Sequence, residues 1–450
     1  MTRLELRSTV ALASVFAARL LGLFMIYPVF ASYASHLRGA TPAMIGIALG
    51  SYGLTQGLLQ IPYGLVSDRT GRKPVITVGL LLFAAGSVVA ALAHSIGGIT
   101  IGRTLQGTGA VGSVVLATVA DLTREEVRTR AMAIVGMTIG LSFAVAIVLG
   151  PVFAGLFGVP GIFWLTALLA ALGIAITYGV VPSQVQVRRH LDTETIPRML
   201  GGVLGNGQLL RLDVSIFVLH FMLTASFLAV PLVLLHALHI PAGRDWLVYL
   251  PVLVVSIVLM VPAILVAEKG GWMKEVFLAT IILLAASQLA LLLWSSAPLV
   301  VALALVGFFT GFNIMEASLP SLITKIAPAN AKGTATGVFS SAQFLGIFAG
   351  GAVGGLASAM GGTAGVFAVT LVAALFWLGI AATMRRPSHY SSYLTRIDGS
   401  GTGRAADLTE RLRSAPGVVD AVIAPDEGVA YLKIDRTRFN PDEIARIVGA

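Results

Sequence analysis

Long apolar segments separated by short polar breaks set the plan of this chain. Runs such as Val75 to Ala93 and Val276 to Trp294 reach or approach the ~20 apolar residues that cross ~30 Å of hydrocarbon as a helix. Hydropathy and helix breakers predict helices over 9–35, 43–66, 74–94, 97–120, 130–156, 160–181, 211–238, 245–267, 275–295, 298–325, 333–358 and 363–384, a bundle of twelve. The longest internal polar stretch, Pro182 to Gln208, carries Arg188, Arg189, His190, Asp192 and Glu194 and divides the apolar part in two. From near Arg385 the pattern changes to charged and polar residues every few positions. The expected organisation is a six-helix half (1–184), a linker (185–210), a second six-helix half (211–386) and a small separate domain (387–450).

Composition agrees with a bilayer as solvent. The chain is 56% hydrophobic and 11% charged with a mean hydropathy of +0.90, far from the balance of a soluble globular protein. A net charge of +9 would hint at nucleic acid in a soluble protein; here the bases sort by topology, and no nucleic-acid partner is expected. Arg69, Arg72, Lys73, Arg124, Arg128, Arg130, Arg188, Arg189, Arg198, Lys269, Lys274, Lys325 and Lys332 fall in alternate connections, while the other side has little more than Arg38 and Arg244. The positive-inside rule puts the first set, Arg3 and Arg7, and Arg385 and Arg386 in the cytosol. Both termini are then cytoplasmic, which requires an even number of crossings. The first apolar stretch follows a short basic start with no cleavage pattern and is read as a retained helix. With no cysteine in the chain, disulfides and thiolate metal sites are excluded, and no cofactor is expected.

Ionisable side chains in hydrocarbon cost about 2.5–3.5 kcal/mol on insertion scales, so each needs a partner, a wet cavity or a job. Arg19 in helix 1, Arg103 in helix 4, His220 in helix 7 and Glu316 in helix 10 stand out as candidates for proton coupling. Glu316 is the only carboxylate placed well inside a predicted span; it carries a proton, or it pairs with a cation such as Arg19 or bonds Asn313 to hold the halves together. His220 is either a titrating group or a neutral hydrogen-bonded one. Arg103, in Arg103-Thr104-Leu105-Gln106-Gly107-Thr108-Gly109, offers donors to a cavity or satisfies backbone carbonyls. Tyr27, Tyr52, Gln56, Gln60, Asn313 and Gln343 are candidates for lining a mainly apolar cavity. Gly136, Gly140, Gly150, Pro151 and Gly155 give helix 5 small faces for packing, with a bend at the proline.

The turn Gly64-Leu65-Val66-Ser67-Asp68-Arg69-Thr70-Gly71-Arg72-Lys73 sets one acid among three bases between two apolar segments. A weaker echo follows the eighth helix, where Glu268 stands three residues before Gly271 as Asp68 does before Gly71. Through Gly64, Asp68, Arg69, Gly71, Arg72 and Lys73 the chain resembles the major facilitator superfamily. Arg103, Gln106, Gly107 and Gly109 resemble its helix 4 motif, and Gly140, Gly150, Pro151 and Gly155 its helix 5 antiporter motif, with Ala146 and Ala154 where glycines are usual. The resemblance covers essentially the whole chain and is to the drug:proton antiporter kind bearing a cytosolic tail. It implies two parallel six-helix halves with a site between them near mid-bilayer, a bacterial inner-membrane location, alternating access and proton coupling. It also implies a conformational switch in which Asp68 and Arg72 form a charge network with Asp121 while Asp68 faces the start of helix 11, Lys332 to Thr336, closing the cytoplasmic side in an outward-open state. A carboxylate at that helix start gains ~0.3–2 kcal/mol from the dipole.

The tail predicts strand, helix, strand, strand, helix over 393–397, 406–414, 418–424, 429–434 and 441–448. It resembles a small ferredoxin-like domain of the heavy-metal-associated kind, but the loop Asp398 to Gly403 lacks the metal cysteines, so no metal is expected. Docking on the chain's own cytoplasmic loops is the expected role. The fold expected is thus an all-α twelve-helix membrane bundle plus a small α+β domain. No Walker-type loop is present, so any uphill flux draws on a gradient. The leading expectation is not an enzyme but a proton-coupled exporter of small hydrophobic or amphiphilic compounds. A sugar or metabolite exporter and a membrane-anchored ligand sensor signalling through the tail are the alternatives.

Overall fold

The computed structural model describes residues 1–182, 197–241, 243–269, 271–328, 331–385, 390–397, 402–424, 428–435 and 438–448. Arg188, Arg189, His190, Asp192, Glu194, Arg386, the side chain of Glu268 and the tail loop 398–401 lie outside them. Thr2 opens α1 (Arg3–Phe24) with a capping box to Glu5, and after a break at Met25 and Ile26 the chain continues as α2 (Tyr27–Ala34), with Pro28 in its first turn. Thr41 caps α3 (Pro42–Thr70), Gly71 turns the chain into α4 (Arg72–Ala91), and Ser95 caps α5 (Ile96–Thr108). The helix predicted over 97–120 is broken at Gly109, and its second part is α6 (Gly112–Asp121). The break has a steric cause: a Cβ on Gly109 would stand 2.3 Å from the Gly79 carbonyl oxygen, so the two backbones touch there.

The next element, α7 (Glu125–Gly179), is 55 residues long and would run ~80 Å if straight. Gly158, at φ 69° and ψ 172°, breaks it close to the predicted boundary. Its two ends meet, since Ala131 and Val135 share one buried cluster with Val181, Leu12, Val15, Ile76 and Val115. The polar stretch between the halves contains a 3-10 turn (Pro197–Met199) and a short α8 (Leu200–Leu204), and α9 (Gly207–Leu232) begins inside the expected linker, capped by Asn206. It ends in a π turn (Val233–Ala237). Then come α10 (Trp246–Lys269), α11 (Met273–Trp294), α12 (Pro298–Ile326) and α13 (Lys332–Ala382). A break at Gly361 and Gly362 folds α13 back as well: Gly346 presses on Phe217 and Trp377 donates to Ser215, so both arms reach one stretch of α9.

Among the described residues eight helical segments are long and apolar enough to cross a membrane, two of them these double-length hairpins. The outer surface carries exposed Leu81, Ile101, Leu168, Val258, Leu303 and Phe376, the pattern of a protein whose exterior meets lipid. The halves α1–α7 and α9–α13 join along α3 and α13. A Cβ on Gly46 would stand 2.0 Å from the Gly351 oxygen, one on Gly50 2.8 Å from the Phe348 oxygen and one on Gly53 2.4 Å from the Phe344 oxygen. Only glycine permits such approach. The tail consists of β1 (Tyr390–Arg396), α14 (Thr402–Ser414), β2 (Val418–Ala424), β3 (Val429–Asp435) and α15 (Pro441–Val448). Its antiparallel sheet has the order β1-β3-β2, with Leu412, Ala421, Leu432, Ile434 and Ile444 forming a core of its own.

Candidate functional site

At the end of the bundle where α3 meets α4, Gly71 takes φ 95°, a conformation that favours glycine, and so presents Arg72 back towards α3. Arg72 is 2% exposed. Its Nε donates to Asp121 Oδ2 at 2.8 Å, and its Nη1 donates to Ser67 Oγ at 2.7 Å and to Asp68 Oδ1. The structure thus joins Asp68, Arg72 and Asp121 across α3, α4 and α6, and adds Ser67. Lys73 turns the other way, donating to the Val181 carbonyl at 2.7 Å and standing 5.5 Å from the Tyr178 ring centre, so it ties α4 to the end of α7. Arg69 is exposed, and Gly64 packs loosely against Ser113.

The expected contact of Asp68 with the start of α13 is not what joins the halves. The close α3–α13 approach runs from Pro42 to Gly57 against Ser341 to Gly355, at the end far from Asp68. Tyr27 on α2 reinforces it, with its ring 5.4 Å from that of Phe227 and its hydroxyl 3.4 Å from Thr224 Oγ1. Gly150 backs Met25, and Gly155 meets Gly243 near the start of α10. Pro151 is buried one residue beyond Gly150. Gly140 and Gly136 depart from the sequence reading: nothing lies within 4 Å of where their Cβ would stand, so close packing there is absent. Towards the Asp68 end the seam loosens, and from 58 to 66 on α3 only Gln60 is buried, as is only Phe339 from 336 to 345 on α13.

Beside the seam, Arg19 Nη2 donates to Gln56 Oε1, and Gln56 Nε2 donates to Gln60 Oε1 at 2.7 Å. Arg103 Nη1 donates to Gln106 Oε1 at 3.1 Å and Nη2 to the Leu49 carbonyl at 3.2 Å. Gln106 in turn donates to Ser87. The two guanidinium carbons stand 5.7 and 5.2 Å from the centre of the Tyr52 ring, and that ring lies 6.2 Å from Phe344 on α13. Tyr52, Gln56, Gln60 and Arg19 therefore gather at the seam.

In the second half, Gln343 on α13 joins His220 on α9 to Glu316 on α12. Gln343 Nε2 lies 2.9 Å from His220 Nε2 and 3.3 Å from Glu316 Oε1. His220 Nδ1 is 3.2 Å from the Ile216 carbonyl, so it carries the proton and Nε2 accepts from Gln343, which makes the ring neutral. Glu316 Oε2 is 3.7 Å from His220 Nε2 and has no hydrogen-bond partner. Glu316 pairs neither with Arg19 nor with Asn313; the helix spacing that makes Asn313 a neighbour does not turn its amide towards the carboxylate. Nor is Glu316 alone as a carboxylate with a buried oxygen in or beside the spans. Asp213, two turns into α9, is 5% exposed with both oxygens unpartnered, and Asp245, just before α10, is 4% exposed with Oδ1 unpartnered. Their nearness to predicted helix ends concealed both.

An aromatic group bridges the halves and touches the second cluster, with Phe312 edge-on to His220 at 5.6 Å between ring centres. Phe143 on α7 lies 5.2 Å from Phe312 and 6.3 Å from Phe309 on α12. In the tail, Lys433 Nζ donates to the Ile326 carbonyl at the end of α12 at 3.1 Å. Burial holds this ammonium below the usual lysine range, with Asp420 acting in the opposite sense.

Comparison with known proteins agrees with this architecture. The sequence profile of the Major Facilitator Superfamily matches residues 12–267 and 212–419, and that of the YajR YAM domain matches residues 401–449. The inner membrane transport protein YajR of Escherichia coli (strain K12) is 43% identical over 452 residues, covering 100% of this chain and 98% of that protein. The class E tetracycline resistance protein of Escherichia coli is 32% identical over 155 residues, 34% of this chain and 38% of that one. Among solved structures, an inward-facing, occupied bacterial homologue of the human lysosomal transporter Spinster superposes with a TM-score of 0.69 at 13% identity, over 85% of this chain and 96% of that one. The human organic anion transporter MFSD10 gives 0.62 at 18% identity, over 85% of this chain and 100% of that one, a likeness of fold alone. The chain belongs to the major facilitator superfamily, as a multi-pass membrane transporter of the YajR type and not an enzyme.

Proposed function

We propose that this transporter is a proton-coupled exporter of small amphiphilic compounds, placed in the bacterial inner membrane with both termini cytoplasmic and working by alternating access. The observation that carries the reading is the Glu316–Gln343–His220 cluster beside the α3–α13 seam. Glu316 Oε2 is buried without a hydrogen-bond partner although the side chain as a whole is 23% exposed, so a carboxylate is held among neutral groups with one oxygen open to a proton. A single proton on the Glu316–His220 pair decides whether the cluster carries charge, and α13, one side of the seam, feels that change directly through Gln343. The bridging aromatic group suits apolar or amphiphilic solutes, and the name of the tetracycline resistance relative is in keeping with export.

With the bases of the Asp68 turn in the cytosol, the closed seam is the outer one and the conformation is inward-facing. The Asp68–Arg72–Asp121 network then lies within the first half, ready to meet the start of α13 when the cytoplasmic side closes. The tail, tied through Lys433 to the end of α12, docks where that closure takes place.

The test is proton movement in proteoliposomes. Vesicles with pyranine inside, given a naphthalene amphiphile across an imposed pH gradient, should show solute-driven proton flux. Glu316→Gln should abolish it while solute still binds. Solute flux indifferent to both the gradient and the substitution would remove proton coupling.

A further inference from the structure

The seam holds two buried cations with no anion. Arg19 is 2% exposed and Arg103 is not exposed at all. Among the described residues neither forms an ion pair with a carboxylate; their acceptors are Gln56, Gln106 and the Leu49 carbonyl, all neutral. Each keeps a buried Nε without a partner, and the hydroxyl of Tyr52, fully buried between them, is unpartnered too. A guanidinium does not shed its proton, so burial cannot be relieved by neutralisation as it can for a carboxylate or a histidine. Arg72 makes the contrast within the same half: it is as buried as Arg19 and is met by two carboxylates. Uncompensated buried charge is costly, and the cations of Arg19 and Arg103 spread onto Tyr52 and Phe83 only through their ring faces.

We propose that the compensating charge is the substrate's: the transporter carries an anionic amphiphile whose head, a carboxylate or a phosphate- or sulfonate-like group, is taken up by Arg19 and the Tyr52 hydroxyl, with Arg103 behind them. The geometry fits this class. Arg19 and Tyr52 share the seam with Phe344, the Gln56–Gln60 amides extend the polar strip, and the aromatic rings of Tyr52, Phe83 and Phe344 border it with apolar surface. A guanidinium binds a carboxylate or phosphate through paired N–H groups, and the unpartnered Nε is one such donor. A cationic solute would meet repulsion at the same place. The anion and the proton site are thus separated across the seam, the first on α1, α3 and α5 and the second on α9, α12 and α13.

This inference rests on the transport reading, and its test separates the two. The full chain in phosphatidylcholine nanodiscs is titrated calorimetrically with three probes that share one ring system, 2-naphthoate, 2-naphthylmethanol and 2-naphthylmethylammonium. Binding of the carboxylate should exceed that of the ammonium by about tenfold or more. Arg19→Gln should abolish that preference, and Arg19→Lys, which keeps the charge, should retain part of it even if the glutamine variant does not fold. Equal or tighter binding of the ammonium, no binding of the carboxylate, or a preference untouched by Arg19→Gln overturns the inference. Loss of naphthoate binding in discs containing phosphatidylglycerol would give the pair to a lipid headgroup and equally overturn it. In proteoliposomes, flux of the ammonium but not the carboxylate removes the anion assignment and leaves the transporter standing. Carboxylate binding without flux of any probe leaves the anion site standing and removes the transport reading.

Discussion

Arg72 reaches Asp121, Asp68 and Ser67 at once, and the three acceptors are not equivalent. Asp121's side chain is fully buried whereas Asp68's is 24% exposed. Removing one partner of a buried pair leaves a charge stranded at a cost of about 3–5 kcal/mol, while a partly solvated partner is replaced in part by water. Asp121→Asn should therefore lower thermal stability in detergent clearly more than Asp68→Asn, which should cost about 1 kcal/mol or less. Asp68→Asn should nonetheless impair transport, since the proposed role of Asp68 is in the movement; unchanged expression and unchanged flux together would remove it from the switch. The Asp68–Arg72–Asp121 association was legible only through the resemblance of the turn to the major facilitator superfamily, since Asp121 lies on another helix far from the turn in sequence. The Glu316 partners were not: which residues meet a mid-helix carboxylate depends on the rotation of three helices remote in sequence, and the chosen partner, Gln343, was noticed only as a cavity residue.

Glycine separates the helices that touch from those that merely run alongside. The stripe Gly46, Gly50, Gly53 and Gly57 follows the helical period and lies against α13, whereas Gly140 faces open space. Gly140→Ala should leave transport intact and leave stability unchanged or raise it by about 0.5–1 kcal/mol, because it only removes backbone freedom. Gly46→Val should prise the seam apart. With no cysteine in the native chain, a single Thr224→Cys beside Tyr27 then reports opening through faster labelling by a thiol reagent, and unaltered labelling would count against a seam held by glycine contact. Breaks near 158 and 361 could be anticipated from apolar runs too long for one crossing with glycines at their middle. The α3 stripe went unread although its spacing is in the sequence, because close packing is a property of two helices, and a glycine facing α13 has the same letter as one facing lipid.

At the scale of the molecule, two half-bundles meet firmly at one end, loosely at the other, and a small domain holds on near the loose end through Lys433. Removing residues 387–450 should alter transport rate or its regulation while leaving the ranking of solutes unchanged; a rearranged ranking would mean that the tail shares in recognition. The division into halves and tail was visible in hydropathy and charge, whereas the conformation was not, since a sequence encodes both end states. The proposed alternating access makes one demand on both: as the seam at Gly46 to Gly57 opens, the end near Asp68 must close. Spin labels placed pairwise at positions 94 and 360, and at 70 and 324, all exposed and one from each half, read the two ends in one protein. With solute and a shift in pH, the first distance should lengthen as the second shortens, and Glu316→Gln should suppress the pH-driven part. Two distances that change together, or neither changing while flux proceeds, would contradict the account.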